Sequence, residues 1–172
     1  MDHSKTDTIP WPVRLKYWIP AFLAAALISL FSTHYFTPEE TGRVIVPILR
    51  WFLPDASADL IRHLHFGIRK LAHVTEFGIF SITVFRAIRG SRTGWQLNWA
   101  LLTFLVAVSY AALDEFHQRY VPRRHFSPKD IALDGTGALL AQIIVWWYAK
   151  RNWPFTLVGK NRRIAKGASH QW

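Results

Sequence analysis

Residues 109–141 read SYAALDEFHQRYVPRRHFSPKDIALDGTGALLA, and this stretch decides the fold. An apolar run turns polar at Asp114 and Glu115, passes through an Arg-rich turn, and re-enters an apolar run carrying Asp130 and Asp134. Pro122 ends whatever helix extends from the first run. Ser127, Pro128, Lys129 and Asp130 open the second: a Ser cap, a Pro at the first helical position, and an Asp placed to reach back to free backbone donors. Two apolar segments of about 20 residues joined by a short turn make a transmembrane hairpin. Nothing else in the chain sets so much ionisable chemistry against so much apolar surface.

The composition agrees. Of 172 residues, 51% are hydrophobic and 19% charged, with apolar residues in long blocks rather than alternating with charge, which favours a membrane protein. The balance of 21 Lys+Arg against 11 Asp+Glu gives +10, a value that would suit a nucleic-acid binder. Here, however, the basic residues flank apolar blocks, so no nucleic-acid partner is expected. With no Cys, disulfides and thiol chemistry are excluded. The length allows one domain.

Outward from the hairpin, the pattern predicts an all-α integral membrane protein with about four transmembrane helices, over residues 15–35, 68–88, 95–116 and 129–148. An interfacial amphipathic helix is expected between the first and second, over 58–66, where Ser57 can cap and Leu60, Ile61 and Leu64 make an apolar stripe. The segment VIVPILRWFLP before it is short and interrupted by Pro47 and Pro54. Gly90 and Gly94 mark a tight turn before the third crossing, and Trp146, Trp147 and Tyr148 form an interfacial belt. Residues 1–14 and 150–172 read as tails, the latter basic through Lys160, Arg162, Arg163 and Lys166 and suited to an anionic leaflet.

Basic residues set the expected orientation. With the N-terminus inside, inside segments hold twelve Lys and Arg opposed only by Asp2 and Asp7, whereas the nine outside share their side with nine acids. The uncompensated charge favours a cytoplasmic N-terminus and C-terminus.

Alternating crossings place the start of the second helix, the end of the third and the start of the fourth on one face. There Arg69, His73, Glu76, Phe80 and Thr83 share one stripe, as do Ser127, Asp130, Asp134, Gly137 and Ala141. Gly137 with Ala141, and Ala107 with Ala111, are small pairs that would let the third and fourth crossings approach closely. A mid-membrane charge costs about 2.5–3.5 kcal/mol on insertion scales, so buried acids face inward and are paired. Asp114 and Glu115 lie at a helix C-terminus, where the macrodipole disfavours anions. Lys70, Arg119, Arg123 and Arg124 are the available counter-charges; alternatively, one acid keeps its proton as a general acid would. The residues placed in a catalytic role are His73, Glu76, Asp114, Glu115 and Asp134, and those placed in substrate binding are Lys70, Gln118, Arg124 and Asp130.

Four motifs carry a resemblance: K-x-x-H-x-x-x-F at Lys70, His73 and Phe77; D-E-x-x-Q at Asp114, Glu115 and Gln118; P-x-R at Pro122 and Arg124; and S-x-x-D-x-x-x-D-x-x-G at Ser127, Asp130, Asp134 and Gly137. Together they resemble the VanZ-like family of small membrane proteins over about half the chain. The chain departs from the family pattern at Arg123, where Gly is frequent, and at Asp134, where Asn is common. The resemblance implies a multi-pass protein of the bacterial cytoplasmic membrane. The family's namesake is associated with reduced sensitivity to glycopeptide antibiotics, teicoplanin above all, a property to which many members have no known link.

From the residues themselves, an outward-facing acid/His/Arg site is expected at the membrane surface. It suits a lipid-linked cell-envelope molecule such as a peptidoglycan precursor, with Arg124 and Lys70 on its phosphate or carboxylate. Membrane lipids are the other expected partner. Two alternatives stay open: a hydrolase or transferase acting on a lipid phosphate or ester, and a divalent-metal protein using His73, Glu76, Asp114, Glu115 and Asp134, a donor set chemically adequate for Zn or Mn but without diagnostic spacing.

Overall fold

The computed structural model describes residues 11–122 and 126–152, with side chains from residue 15 onward. These residues form five α-helices and one short 3-10 turn, with no strand among them. The helices are α1 (Trp11–Phe31), α2 (Pro38–Phe52), α3 (Ala58–Arg89), α4 (Leu97–Gln118) and α5 (Pro128–Asn152); the turn is His34–Phe36.

Three helices, α3, α4 and α5, are each long and apolar enough to cross a membrane. A fourth crossing is present if the pair Leu15–Phe31 and His34–Phe52, bent by 71°, counts as one broken span. The predicted all-α membrane architecture is therefore the observed one. At 1.5 Å per residue, α3 is about 48 Å long, well beyond the ~30 Å hydrocarbon thickness.

That length contains one difference from expectation. Residues 58–66 are not a separate interfacial helix but the first turns of α3, started by the Ser57 hydroxyl accepting from Leu60 N at 3.2 Å. The amphipathic helix between the first two crossings is instead α2, capped by Thr37, whose hydroxyl accepts from Glu40 N at 3.4 Å. Pro47 lies inside α2 without ending it. Proline deprives the carbonyl four residues back of its donor, a small loss on a helix with no fully buried residue. The expected turn after α3 is present: Gly90 caps the helix at φ 63° and Gly94 sits at φ 88°, the left-handed region that glycine tolerates.

The core is thin and built from small residues. Ala107, Ala111 and Ala138 are fully buried around Phe77, Phe80 and Val84 of α3 and Ala21 and Ile28 of α1. Tyr110 stacks beside Phe80, ring centres 4.9 Å apart, and donates its hydroxyl to Ala25 O at 2.8 Å, tying α4 to α1. The outer face is the reverse of a soluble protein's: Leu23, Leu71, Leu105 and Ile144 are all well exposed. Such a surface suits lipid contact.

Helix α3 is the hub, packing against α1, α2, α4 and α5. Its closest approach is to α5. A Cβ added at Gly137 would lie 2.3 Å from Val74 O, so only glycine lets these two backbones meet. Gly137 therefore serves the α3–α5 contact, not the approach of the third and fourth crossings expected from the sequence. Gly135, by contrast, faces Val108 of α4. Above Gly137 the α3–α5 seam is polar: Ser81 donates to Ala138 O at 3.2 Å and accepts from Gln142 Nε2 at 2.8 Å. Both side chains are buried, and while the Gln142 amide nitrogen is paired, its Oε1 has no hydrogen-bond donor among the described residues.

Candidate functional site

The C-terminal end of α4, the N-terminal end of α5 and residues 69–76 in the middle of α3 come together near the place where α1 finishes. Each acid there has a different partner. Asp114 is buried and accepts at Oδ2 from Ser32 Oγ, at 2.7 Å, and from Gln118 Nε2, at 2.8 Å. Helix periodicity explains the second bond, since Gln118 lies one turn along the same face. The first comes from the residue that follows α1, 82 residues away.

Glu115 is 1% exposed, and its Oε2 accepts from Ser127 N at 2.8 Å. Ser127 immediately precedes α5, so a carboxylate of one helix satisfies a free donor at the start of the next and faces the positive end of its dipole. The start of α5 is thus capped from outside. Asp130, expected to reach back as part of that cap, instead pairs with the Lys70 ammonium of α3. Both members of this pair are about a quarter exposed.

The fourth acid, Asp134, lies about two turns inside α5 and is 1% exposed. Neither of its carboxylate oxygens has a hydrogen-bond donor among the described residues. His73 of α3 approaches it, Nδ1 to Oδ1, at 3.6 Å, longer than a hydrogen bond. Asp114, Glu115, Asp130 and Glu76 all lie within electrostatic reach of Asp134.

His73 has a second neighbour. Together with Arg69 and Glu76 it lines a cleft of about 230 Å³ whose remaining wall is mostly apolar, from Phe31, Phe36 and Ile45 of the bent α1–α2 region. Arg69 braces this region by donating to Phe36 O at 3.0 Å and to Thr41 Oγ1 at 2.8 Å. The cleft thus runs from the acid cluster to an amphipathic helix, a shape that accepts a polar group at one end and a hydrocarbon at the other.

Eight of the nine residues singled out from the sequence are brought to this end of the molecule, in four groups: Asp114 with Gln118, Glu115 at the head of α5, Lys70 with Asp130, and His73 with Asp134, Glu76 lining the cleft beside His73. Arg124 lies outside the described residues, as do Arg123 and the basic tail beyond residue 152. The counter-charges differ from expectation. Asp114 is held by a hydroxyl and an amide and Glu115 by a backbone N–H, while Lys70 pairs with Asp130. Ser32 was missed; a small polar residue closing the first apolar run was its only signal. Among the described residues, no three His, Asp or Glu side chains are arranged to hold a metal ion. The metal alternative therefore gains no support from the geometry.

A bundle of long apolar helices with a buried, acid-rich end defines a small all-helical membrane protein. The chain belongs to the VanZ/LLP1 family, whose model matches residues 17–149 and so takes in every residue of this cluster. No curated protein and no solved structure matches the chain.

Proposed function

We propose that the acid-rich end recognises a lipid-linked cell-envelope molecule, with a polar head among His73, Glu76 and Asp134 and a hydrocarbon tail against the α1–α2 bend. In this reading both termini are cytoplasmic and the site faces outward in the bacterial cytoplasmic membrane. The observation that carries it is Asp134: a buried carboxylate with no donor among the described residues, surrounded by four more acids and reached by a histidine that also lines the cleft. Burying an unsatisfied acid is costly, and a ligand bringing ammonium, amide or hydroxyl donors offsets that cost on binding. A peptidoglycan precursor on a polyprenyl diphosphate carries such donors together with the anion that Arg124 and Lys70 would meet. Sequestering such a molecule is also a route by which glycopeptide sensitivity would change.

The test is binding of a fluorescent polyprenyl-diphosphate muropeptide to the full-length protein in nanodiscs, with reaction products followed in the same samples. Saturable binding that falls at least about tenfold in His73→Ala and in Asp134→Asn is expected, a loss equivalent to one or two charge-assisted hydrogen bonds. Helix content measured on each variant separates a lost site from a lost fold. Absence of saturable binding by the wild-type protein would sink the proposal, and conversion of the probe would replace it with the hydrolase or transferase reading.

A further inference from the structure

The end of the bundle away from the acid cluster holds a second concavity. Helices α4 and α5 border a groove of about 460 Å³ there, walled by Leu97, Leu101 and Phe104 on one side and Leu139, Ile143 and Trp146 on the other. Each wall spans eight residues, about 10 Å along the helix axis. Two further lining residues, Ala100 and Trp95, tie the groove to the core, since Ala100 is buried with Phe85 and Trp99 and Trp95 packs against that group. The lining is almost wholly apolar, and two cations lie at the same end of the bundle, Lys150 over a ring of the groove wall and Arg92 over a neighbouring one. The Arg92 guanidinium lies 4.5 Å from the ring centre of Trp99, and the Lys150 ammonium lies 5.3 Å from that of Trp146. Trp95, which also lines the groove, has its indole Nε1 buried with no acceptor among the described residues.

We propose that this groove binds an anionic phospholipid, its acyl chain lying between α4 and α5 and its phosphate held by Arg92 and Lys150. Three features favour this occupant. An acyl chain fills an apolar slot without demanding polar partners, as these walls require. Lys150 stands over Trp146 of the groove wall, and Arg92 stands over Trp99, next in sequence to the lining residue Ala100; together they attract an anionic surface. The phosphate or glycerol-ester oxygens would give the Trp95 N–H the acceptor it lacks. Arg92 can accept the role because its guanidinium has five donors, of which Nε and one on Nη2 go to Arg89 O and Ile88 O. A second copy of this chain is the poorer occupant. A twofold contact through the groove would bring the same two cations of both copies together.

Native mass spectrometry of the full-length protein tests this, with phosphatidylglycerol and phosphatidylcholine of equal chain length added in competition. Wild-type protein should retain one phosphatidylglycerol in preference. Retention should fall about thirtyfold in the double variant Arg92→Gln/Lys150→Gln, as expected for two basic residues at a lipid surface. It should also fall in Leu101→Trp, which fills the groove from an exposed position and leaves the core untouched. Arg43→Gln/Arg62→Gln, altered far from the groove, should behave as wild type and exclude a simple net-charge effect. Equal retention of the two lipids would overturn the proposal, as would wild-type retention in either groove variant, or a dimer that Leu101→Trp dissociates.

Discussion

Replacing Gly137 with alanine tests the α3–α5 contact directly, because two opposing effects have different signs. In an unobstructed helix, alanine is better than glycine by about 1 kcal/mol, so the substitution would stabilise. Here the new methyl would lie 2.3 Å from Val74 O, 3.0 Å from Val74 C and 3.0 Å from Val74 Cα. Ordinary contact begins near 3.4 Å, so the helices would have to separate by more than about 1 Å, and the obstruction is backbone that cannot rotate away. Overpacking of this kind costs about 1–3 kcal/mol, and an immovable partner places it at the upper end. The net expectation is a loss of about 2 kcal/mol after the propensity gain. Gly135→Ala is the internal control, since its methyl would sit 3.5 Å from the Val108 Cγ2 methyl, an ordinary contact. That variant should be neutral or slightly stabilised. Denaturant unfolding in detergent, followed by far-UV circular dichroism, reads both. If Gly137→Ala matches or exceeds wild-type stability, or if both variants lose equally, the close approach of α3 and α5 is wrong.

Other expectations follow from the paired acids. Glu115→Gln keeps an acceptor for Ser127 N and should change stability little, whereas Glu115→Leu leaves that N–H unsatisfied and should cost about 1–3 kcal/mol in the same unfolding assay. Asp134→Asn removes a buried carboxylate lacking donors and should stabilise the fold by about 1 kcal/mol or more while weakening ligand binding, a trade-off common at sites kept for function. A double-mutant cycle on Lys70 and Asp130 should give a coupling energy near or below about 1 kcal/mol, because both side chains remain partly solvated. Reporter fusions at Arg92 and Arg124 should report opposite sides of the membrane; the same side for both would break the convergence of α3, α4 and α5.

What could be read in the chain and what could not divide along one physical line. Local rules worked where the signal lies within a few residues: the Ser57 cap, the Pro128 start of α5, the left-handed Gly90, and the facing of His73 and Glu76 on one stripe. Helical periodicity also gathered the right residues at one end. It could not say what a stripe meets. Gly137 and Ala141 share a face, but whether that face packs on α3 or α4 depends on the placement of whole helices. The same holds for Asp114, whose hydroxyl donor Ser32 comes from the turn after α1, and for Lys70, which found Asp130 rather than the acids of α4. The continuity of residues 58–66 with α3 escaped because polar residues there suggested an interfacial segment, whereas a helix of about 48 Å simply outruns the hydrocarbon. Pro47 misled in the opposite sense: an exposed proline on an amphipathic helix is tolerated.

The bond from Glu115 to Ser127 N also bears on how the protein is made. When α4 leaves the ribosome, the backbone donor that will satisfy Glu115 has not been synthesised; it follows twelve residues later, a delay of about one second at ~5–20 residues per second. During that interval a carboxylate destined for 1% exposure has no permanent partner, so α4 alone is a poor membrane segment at its trailing end. The two helices are therefore suited to entering the bilayer as a preassembled pair, and the bond acts as a register pin for that pair. A shortened or lengthened turn would leave Glu115 facing the wrong peptide group and be felt first as failed insertion rather than as lost activity.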